Sequence, residues 1–97
     1  MPEAIIFVDT EFGGLHTHLF QSVVDFTKLS LGGKGVHLVE GDWNDKVSSI
    51  VVVSGRWQFF KDTGWQNPMG PVLGPGVYPV LPSGITNDAI SSAKTVE

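Results

Sequence analysis

The apolar runs in this sequence are short, and residues that favour turns separate them. Twelve glycines and six prolines interrupt the chain, at intervals of roughly eight to twelve residues, which is the spacing of short strands in an antiparallel sandwich. Valine, isoleucine and aromatic residues, which favour strands, concentrate between these interruptions. The predicted strands cover residues 4–8, 16–20, 36–39, 47–53, 56–60 and 90–96. The pattern therefore predicts an all-β fold built as an antiparallel β-sandwich.

Three segments allow a more detailed prediction. Residues 4–8 and 16–20 flank a polar turn, so we expect them to pair as a hairpin. Residues 47–53 are too uniformly apolar to alternate with polar positions, which predicts a strand that is buried on both faces. Three of its side chains are predicted to face the core: Val47, Ile50 and Val52. Residues 21–29 place apolar side chains at a spacing that fits one face of a short helix or an irregular turn.

One six-residue stretch occurs twice. Residues 44–49 read NDKVSS, and residues 87–92 read NDAISS, 43 positions later. Four of the six positions are identical, a match that chance produces on the order of once in a thousand. Both copies lead into a predicted strand. We infer an internal repeat.

The repeat divides the chain into two similar halves of unequal length. Trp65 in the second half stands where the first half has Phe12. Phe12 lies 32 residues before Asn44, whereas Trp65 lies 22 residues before Asn87. The first half therefore has about ten extra residues, which we expect at the surface within residues 21–31.

Length and composition limit the class of protein. Ninety-seven residues bury one core, so we predict a single domain over residues 1–97, with motifs at about 3–53 and 54–97. The content of 41% hydrophobic and 16% charged residues excludes an intrinsically disordered chain. The net charge is −4 and the six lysines and arginines are scattered, so no basic patch is available for nucleic acid. The absence of cysteine excludes disulfides and thiolate metal sites.

The terminal and apolar segments bear on membrane and compartment. The apolar runs are too short to span a membrane, so we expect no membrane partner. The first residues lack the basic segment and the long apolar segment of a signal peptide. The chain as given is therefore expected to be intracellular or already processed, and we expect a monomer.

The repeated stretch carries hard oxygen donors. An Asn-Asp pair followed by serine offers a carboxylate, an amide oxygen, a hydroxyl and the carbonyls of a turn, which suit Ca2+ better than Zn2+ or Cu2+. Because only one aspartate is certain in each stretch, the predicted affinity is moderate. Asn, Asp and Ser are also ordinary turn residues that bond the local backbone. The recurrence in matching positions favours metal binding over that interpretation.

Both stretches fit the pattern N/D-N/D-x-x-S/T-S, and the chain thereby resembles the Ca2+-binding βγ-crystallin domains, which are mostly microbial. Further segments are similar to other motifs of that family. Residues 7–14 resemble its aromatic hairpin, residues 54–57 its turn between motifs, and residues 73–78 the segment that precedes the ion clamp. The resemblance implies two Greek-key motifs that form a β-sandwich. It also implies two Ca2+ ions in a paired clamp, to which both repeated stretches contribute.

The same resemblance implies the ligands. Hydroxyls would come from two serines, side-chain and main-chain oxygens from the two Asn-Asp pairs, and main-chain carbonyls from the two hairpins. The implied metal ligands are Val8, Asn44, Asp45, Ser48, Lys61, Asn87, Asp88 and Ser91. The sequence leaves open which Asn-Asp pair serves which ion.

The second hairpin departs from the family pattern. Its aromatic-Gly-Gly sequence becomes Trp65-Gln66-Asn67, followed by Pro68. Asparagine is the non-glycine residue that most readily adopts the left-handed conformation, so we expect Asn67 to replace a glycine. The site that uses Lys61 is expected to be the weaker of the two.

Other interpretations compete with calcium binding. The main alternative is a carbohydrate- or protein-binding sandwich whose Asn-Asp turns are only structural. Trp43, Trp57 and Trp65 would form its sugar platform, although large core side chains are the simpler interpretation in so small a sandwich. His16 and His18 share one strand face and would bind Ni2+ or Zn2+ if a third ligand joined them; otherwise they are exposed strand residues. Nothing specifies the geometry of a Ser/His/Asp hydrolase, so an enzyme is not predicted.

Overall fold

A computed structural model describes residues 2–29, 43–86 and 88–96. Within these ranges the regular structure consists of seven β-strands and two short 3-10 helices. The strands are β1 (Glu3–Phe7), β2 (His16–Leu19), β3 (Ser49–Ser54), β4 (Arg56–Asp62), β5 (Gln66–Leu73), β6 (Gly76–Tyr78) and β7 (Ser92–Val96). The 3-10 helices are Thr10–Phe12 and Phe26–Lys28. The predicted all-β fold is confirmed, while the predicted strand at 36–39 lies outside the described residues. No helix in the described part of the chain is long and apolar enough to cross a bilayer.

The strands pair antiparallel in two sheets, with the orders β2-β1-β3-β6 and β5-β4-β7. The predicted hairpin of β1 and β2 is confirmed. Strand β6 comes from the second half of the chain but pairs with β3, where Val77 lies opposite Val51. In return, Val23 of the first half forms an isolated bridge to Ala93 in β7. Each sheet therefore has one edge segment that comes from the other half of the chain, and the two Greek keys form one sandwich.

Large apolar side chains fill the space between the two sheets. Trp43, Trp57 and Phe26 are fully buried. Trp65 is half-buried, and its indole N–H donates to the Ala93 carbonyl at 2.9 Å. The interpretation of the tryptophans as core residues is confirmed for Trp43 and Trp57, whose rings are not available at the surface.

Strand β3 is buried on both faces only at its beginning, where Ser49 and Ile50 are both fully buried. Ile50 and Val52 are buried as predicted, whereas Val51 is half-buried and Val53 is 49% exposed. Val47 is also buried, although it precedes the strand. The prediction that both faces are buried is therefore confirmed for residues 47–50 and was wrong for the end of the strand. An antiparallel sheet commonly packs one face on the core and leaves the other towards solvent, and a local apolar run does not reveal whether a second layer covers it.

Residues 21–29 form an irregular turn that contains one short helical stretch. Asp25 precedes the 3-10 helix Phe26–Lys28, and its carboxylate accepts a hydrogen bond from the Thr27 backbone N–H at 2.9 Å. The Thr27 hydroxyl also donates to Asp25, and this side-chain hydrogen bond lowers the pKa of Asp25 below its ordinary value. Of the two structures that the sequence left open, the irregular turn describes the segment better.

The extra residues of the first half begin later in the chain than predicted. The Val24 carbonyl accepts from Gly64 N at 2.7 Å, just as the Pro79 carbonyl accepts from Glu11 N at 2.6 Å. Val24 therefore belongs to the framework that both halves share, and the added length follows it. The predicted placement within residues 21–31 was wrong for the first part of that range, and its last two residues lie outside the described residues.

Gly70 in β5 is a position at which a side chain would strain the sandwich. Its φ is +64°, and a Cβ there would lie 2.5 Å from Ile85 Cγ1. Gly70→Ala is expected to lower the free energy of unfolding by about 1–3 kcal/mol, because alanine is strained at positive φ and would displace the buried Ile85. Urea unfolding followed by tryptophan fluorescence measures the loss. Gly74→Ala is the matched control, since no atom lies within 4 Å of a Cβ there, and equal midpoints would contradict the prediction.

Candidate metal centre

The two repeated stretches have the same backbone turn and are hydrogen-bonded to each other. Asp45 and Asp88 both have a φ of 58°, in the left-handed region that aspartate tolerates better than most residues. Asp45 N donates to the Ile90 carbonyl at 3.0 Å, and Asp88 N donates to the Val47 carbonyl at 3.1 Å. Ile90 and Val47 occupy the same position in their respective copies. Each turn is therefore bonded to the other copy, and the two copies lie side by side.

The serines and aspartates pair across the two copies. Ser48 Oγ donates to Asp88 Oδ1 at 2.9 Å, and Ser91 Oγ donates to Asp45 Oδ1 at 3.4 Å. Both serines are buried, with exposures of 4% and 6%. The sequence left the pairing of the two stretches open, and this geometry groups each serine with the aspartate of the opposite half.

These contacts line two neighbouring clefts. The first, which we name the Lys61 cleft, is lined by Thr27, Asn44, Asp45, Lys61, Asp62, Thr63, Asp88, Ala89 and Ser91. The second, which we name the Val8 cleft, is lined by Val8, Asp9, Thr10, Asp45, Lys46, Ser48 and Asp88. Every predicted ligand therefore lies at a cleft except Asn87, which is outside the described residues, and Asp45 and Asp88 line both clefts. Metal binding by these residues stays a prediction.

The donor set of the clefts consists of oxygen atoms. Asp45 and Asp88 supply carboxylates and the two buried serines supply hydroxyls. Asn44 Nδ2 donates to Asp45 Oδ2 at 3.2 Å, which fixes the carboxylate of the adjacent residue. Among the described residues no group of three His, Cys, Asp or Glu side chains could hold a metal ion, so neutral oxygens must complete any site here. A set of few carboxylates and several neutral oxygens fits Ca2+ and lacks the imidazole and thiolate ligands that Zn2+ favours.

The last serine of each copy has a role that the sequence did not reveal. Ser49 Oγ donates to the Asp9 carbonyl at 2.6 Å and accepts from Phe12 N at 3.1 Å. Ser92 Oγ makes the equivalent contacts, to the Asp62 carbonyl at 2.6 Å and from Trp65 N at 3.2 Å. Both serines are fully buried. Each serine therefore anchors the hairpin that borders its cleft through two hydrogen bonds. In the sequence, the only sign of this role was that the serine occurs in both copies of the repeat.

Comparison with known proteins decides the family. The family model for Beta/Gamma crystallin matches residues 3–96. The chain belongs to the βγ-crystallin family. A curated Beta/gamma-crystallin of Ciona intestinalis is 41% identical over 95 residues, which cover 97% of this chain and 98% of the relative. The recognition of a βγ-crystallin domain from the repeated stretch is thereby confirmed.

Solved structures support the same assignment. A βγ-crystallin structure from Ciona intestinalis matches with a TM-score of 0.76 at 37% identity, covering 97% of this chain and 99% of that one. A transition-metal-ion-binding βγ-crystallin from Methanosaeta thermophila matches with a TM-score of 0.67 at 29% identity, covering 96% and 99% of the two chains. Binding of metal ions therefore occurs among the structural neighbours of this βγ-crystallin domain.

The second hairpin of this βγ-crystallin domain replaces a glycine with asparagine, as the sequence predicted. Asn67 has a φ of 58°, and Gly14 at the equivalent position has a φ of 72°. A Cβ on Gly14 would lie 2.7 Å from Asp9 Oδ2. In the second hairpin the corresponding carboxylate, Asp62, instead accepts a short hydrogen bond from Asn67 Nδ2. The two clefts are therefore bordered by hairpins with the same backbone turn but different carboxylate contacts.

Proposed function

We propose that this βγ-crystallin domain is a non-enzymatic Ca2+-binding protein of the type found mostly in microbes, with one ion in each cleft. The cross-pairing of Ser48 with Asp88 and of Ser91 with Asp45 carries the proposal. Each pair joins two oxygen atoms from opposite halves, and a cation between them would tie the halves together. Because the unfolded chain does not hold these oxygens together, Ca2+ would stabilise the fold by mass action.

Asp45 and Asp88 line both clefts, so we assign the residues of each ion from the two serine–aspartate pairs. The Lys61 cleft offers the Asp45 carboxylate, the Ser91 hydroxyl and the Lys61 carbonyl, beside Asn44. The Val8 cleft offers the corresponding oxygens of the other copy, namely the Asp88 carboxylate, the Ser48 hydroxyl and the Val8 carbonyl. Sequence equivalence to Asn44 assigns Asn87 to the second ion. With so few carboxylates per ion, we expect dissociation constants on the order of 10⁻⁶ to 10⁻⁴ M.

The alternative function is a carbohydrate- or protein-binding module whose Asn-Asp turns are structural. Its sugar platform required exposed indole rings, but Trp43 and Trp57 are fully buried. Trp65 is half-buried, and the Lys94 ammonium lies 5.0 Å from the centre of its ring. Trp43 and Trp57 therefore cannot form the sugar platform, and a glycan array with a pull-down tests what remains of the alternative.

Titration calorimetry with Ca2+, combined with thermal melting, tests the proposal. We expect two bound ions per chain and a melt that chelator shifts downward. At ten times its dissociation constant, one ion adds about 1.4 kcal/mol to the free energy of unfolding, which is roughly 5–10 °C in Tm for a domain of this size. Mg2+ at the same concentration is the control, because its smaller octahedral shell fits these clefts less well. No heat and equal Tm in Ca2+ and in chelator would refute the proposal.

A further inference from the structure

Two histidines on the outer face of the four-stranded sheet lie close enough to share a metal ion. His16 and His18 alternate along β2, so their side chains project from the same face, and both are exposed. Their ring centroids are 5.7 Å apart with an interplanar angle of 67°. Two imidazole nitrogens at about 2.1 Å from one ion place their ring centroids roughly 4.5–5.2 Å apart. The observed separation needs only a small adjustment of exposed side chains to reach that geometry.

A carboxylate on the neighbouring strand orients one of these rings. Glu3 Oε2 lies 2.8 Å from His18 Nδ1. An ionised carboxylate only accepts hydrogen bonds, so the proton of this contact sits on Nδ1 and the lone pair of Nε2 is left for a ligand. A carboxylate that accepts from the second nitrogen of a metal-binding histidine fixes its tautomer and raises its basicity. Glu3 thus prepares His18 to bind through Nε2.

Aromatic neighbours further restrict the pair. The Phe7 ring lies 5.5 Å from the His16 ring, and the Phe20 ring stacks on His18 at 6.0 Å with an interplanar angle of 9°. The four rings form a ladder along the sheet, with the histidines in the middle. Restriction of the rings before binding lowers the entropy cost of bringing two ligands onto one ion.

We propose that His16 and His18 form a binding site for an imidazole-seeking transition-metal dication, with water completing the coordination shell. No third His, Cys, Asp or Glu among the described residues completes a closed site, so the ion would be exchangeable, and Cu2+ would bind more tightly than Ni2+ or Zn2+. Neither histidine lines the Lys61 cleft or the Val8 cleft. The site is therefore separate from the proposed calcium centre and does not depend on it.

Titration of the untagged, calcium-saturated protein with Cu2+ and with Ni2+ tests this site. We expect one ion per chain, tighter binding of Cu2+, and a paramagnetic resonance spectrum of bound Cu2+ with two nitrogen ligands. His16→Gln and His18→Gln should each weaken binding at least about tenfold and reduce the nitrogen count to one. Both histidines are exposed, so the Tm and calcium binding of the variants should stay at the wild-type values.

Arg56 in β4 provides the control. It is exposed and belongs to the three-stranded sheet, so Arg56→Gln should retain wild-type Cu2+ affinity and both nitrogen ligands. Loss of binding in Arg56→Gln, or wild-type binding in both His16→Gln and His18→Gln, would overturn the proposal. Absence of saturable binding of either ion to the wild-type protein would overturn it as well.

Discussion

Replacing Ser92 by alanine is expected to lower the free energy of unfolding by about 2–4 kcal/mol. The Ser92 hydroxyl is fully buried, donates to the Asp62 carbonyl at 2.6 Å and accepts from Trp65 N at 3.2 Å. Alanine removes both hydrogen bonds and leaves a carbonyl and an N–H without that partner. Urea unfolding in chelator, followed by tryptophan fluorescence, isolates this loss from any contribution of bound ions.

Two further variants make this experiment specific. Ser49→Ala removes the equivalent pair of contacts in the first half, so it should cost a similar amount. Ser83→Ala changes an exposed serine in a turn and should change the free energy of unfolding by less than about 0.5 kcal/mol. If Ser92→Ala unfolds at the same urea concentration as Ser83→Ala, the buried hydroxyl does not fasten the hairpin.

Five of the seven strands in the described part of the chain had a predicted counterpart because their signals are local, whereas β5 and β6 had none. Residues 4–8 and 16–20 were predicted as a hairpin, and the structure places β1 and β2 within a residue of these bounds. Val53 shows the limit of such signals, since it belongs to an apolar run and yet is 49% exposed. Strand propensity depends on side-chain shape, whereas burial of the second face depends on whether another layer of the fold covers it.

The exchange of edge segments between the halves had no local signal. The bridge from Val23 to Ala93 and the pairing of Val77 with Val51 join residues that are far apart in the sequence. Such pairings are set by the packing of two sheets, and the residues involved read locally as ordinary apolar positions. The same reason explains why the extra length of the first half was placed too early, since Val24 is recognised as framework only through its hydrogen bond to Gly64.

The sequence predicted which residues form the candidate site but not which of them contact each other. The repeat identified the residue types, and the family resemblance assigned them to an ion. Neither established that Ser48 contacts Asp88 and that Ser91 contacts Asp45, because a repeat gives both copies the same composition. The cross-pairing follows from the way each left-handed turn bonds the opposite copy, which is a property of the assembled sandwich.

This cross-pairing predicts which calcium ion each substitution removes. Ser91→Arg should weaken binding in the Lys61 cleft at least about 100-fold, because it replaces a hydroxyl ligand with a cation that repels Ca2+ at close range, and it should leave the other ion bound. Asp45→Asn, a nearly isosteric change at an exposed residue, should weaken the same ion. Ser48→Arg and Asp88→Asn should instead weaken the ion in the Val8 cleft. Calorimetric titration gives the number of ions for each variant.

Double variants test directly which serine and which aspartate bind the same ion. Asp45→Asn combined with Ser91→Arg alters both members of one serine–aspartate pair, so one ion should still bind at the intact pair of Ser48 and Asp88. Asp45→Asn combined with Ser48→Arg alters one member of each pair, so neither ion should bind with wild-type affinity. The opposite outcome, with one intact ion in the second combination and none in the first, would show that each serine serves the aspartate of its own copy. Because all variants are compared in chelator by circular dichroism, a misfolded protein is recognised before the ions are counted.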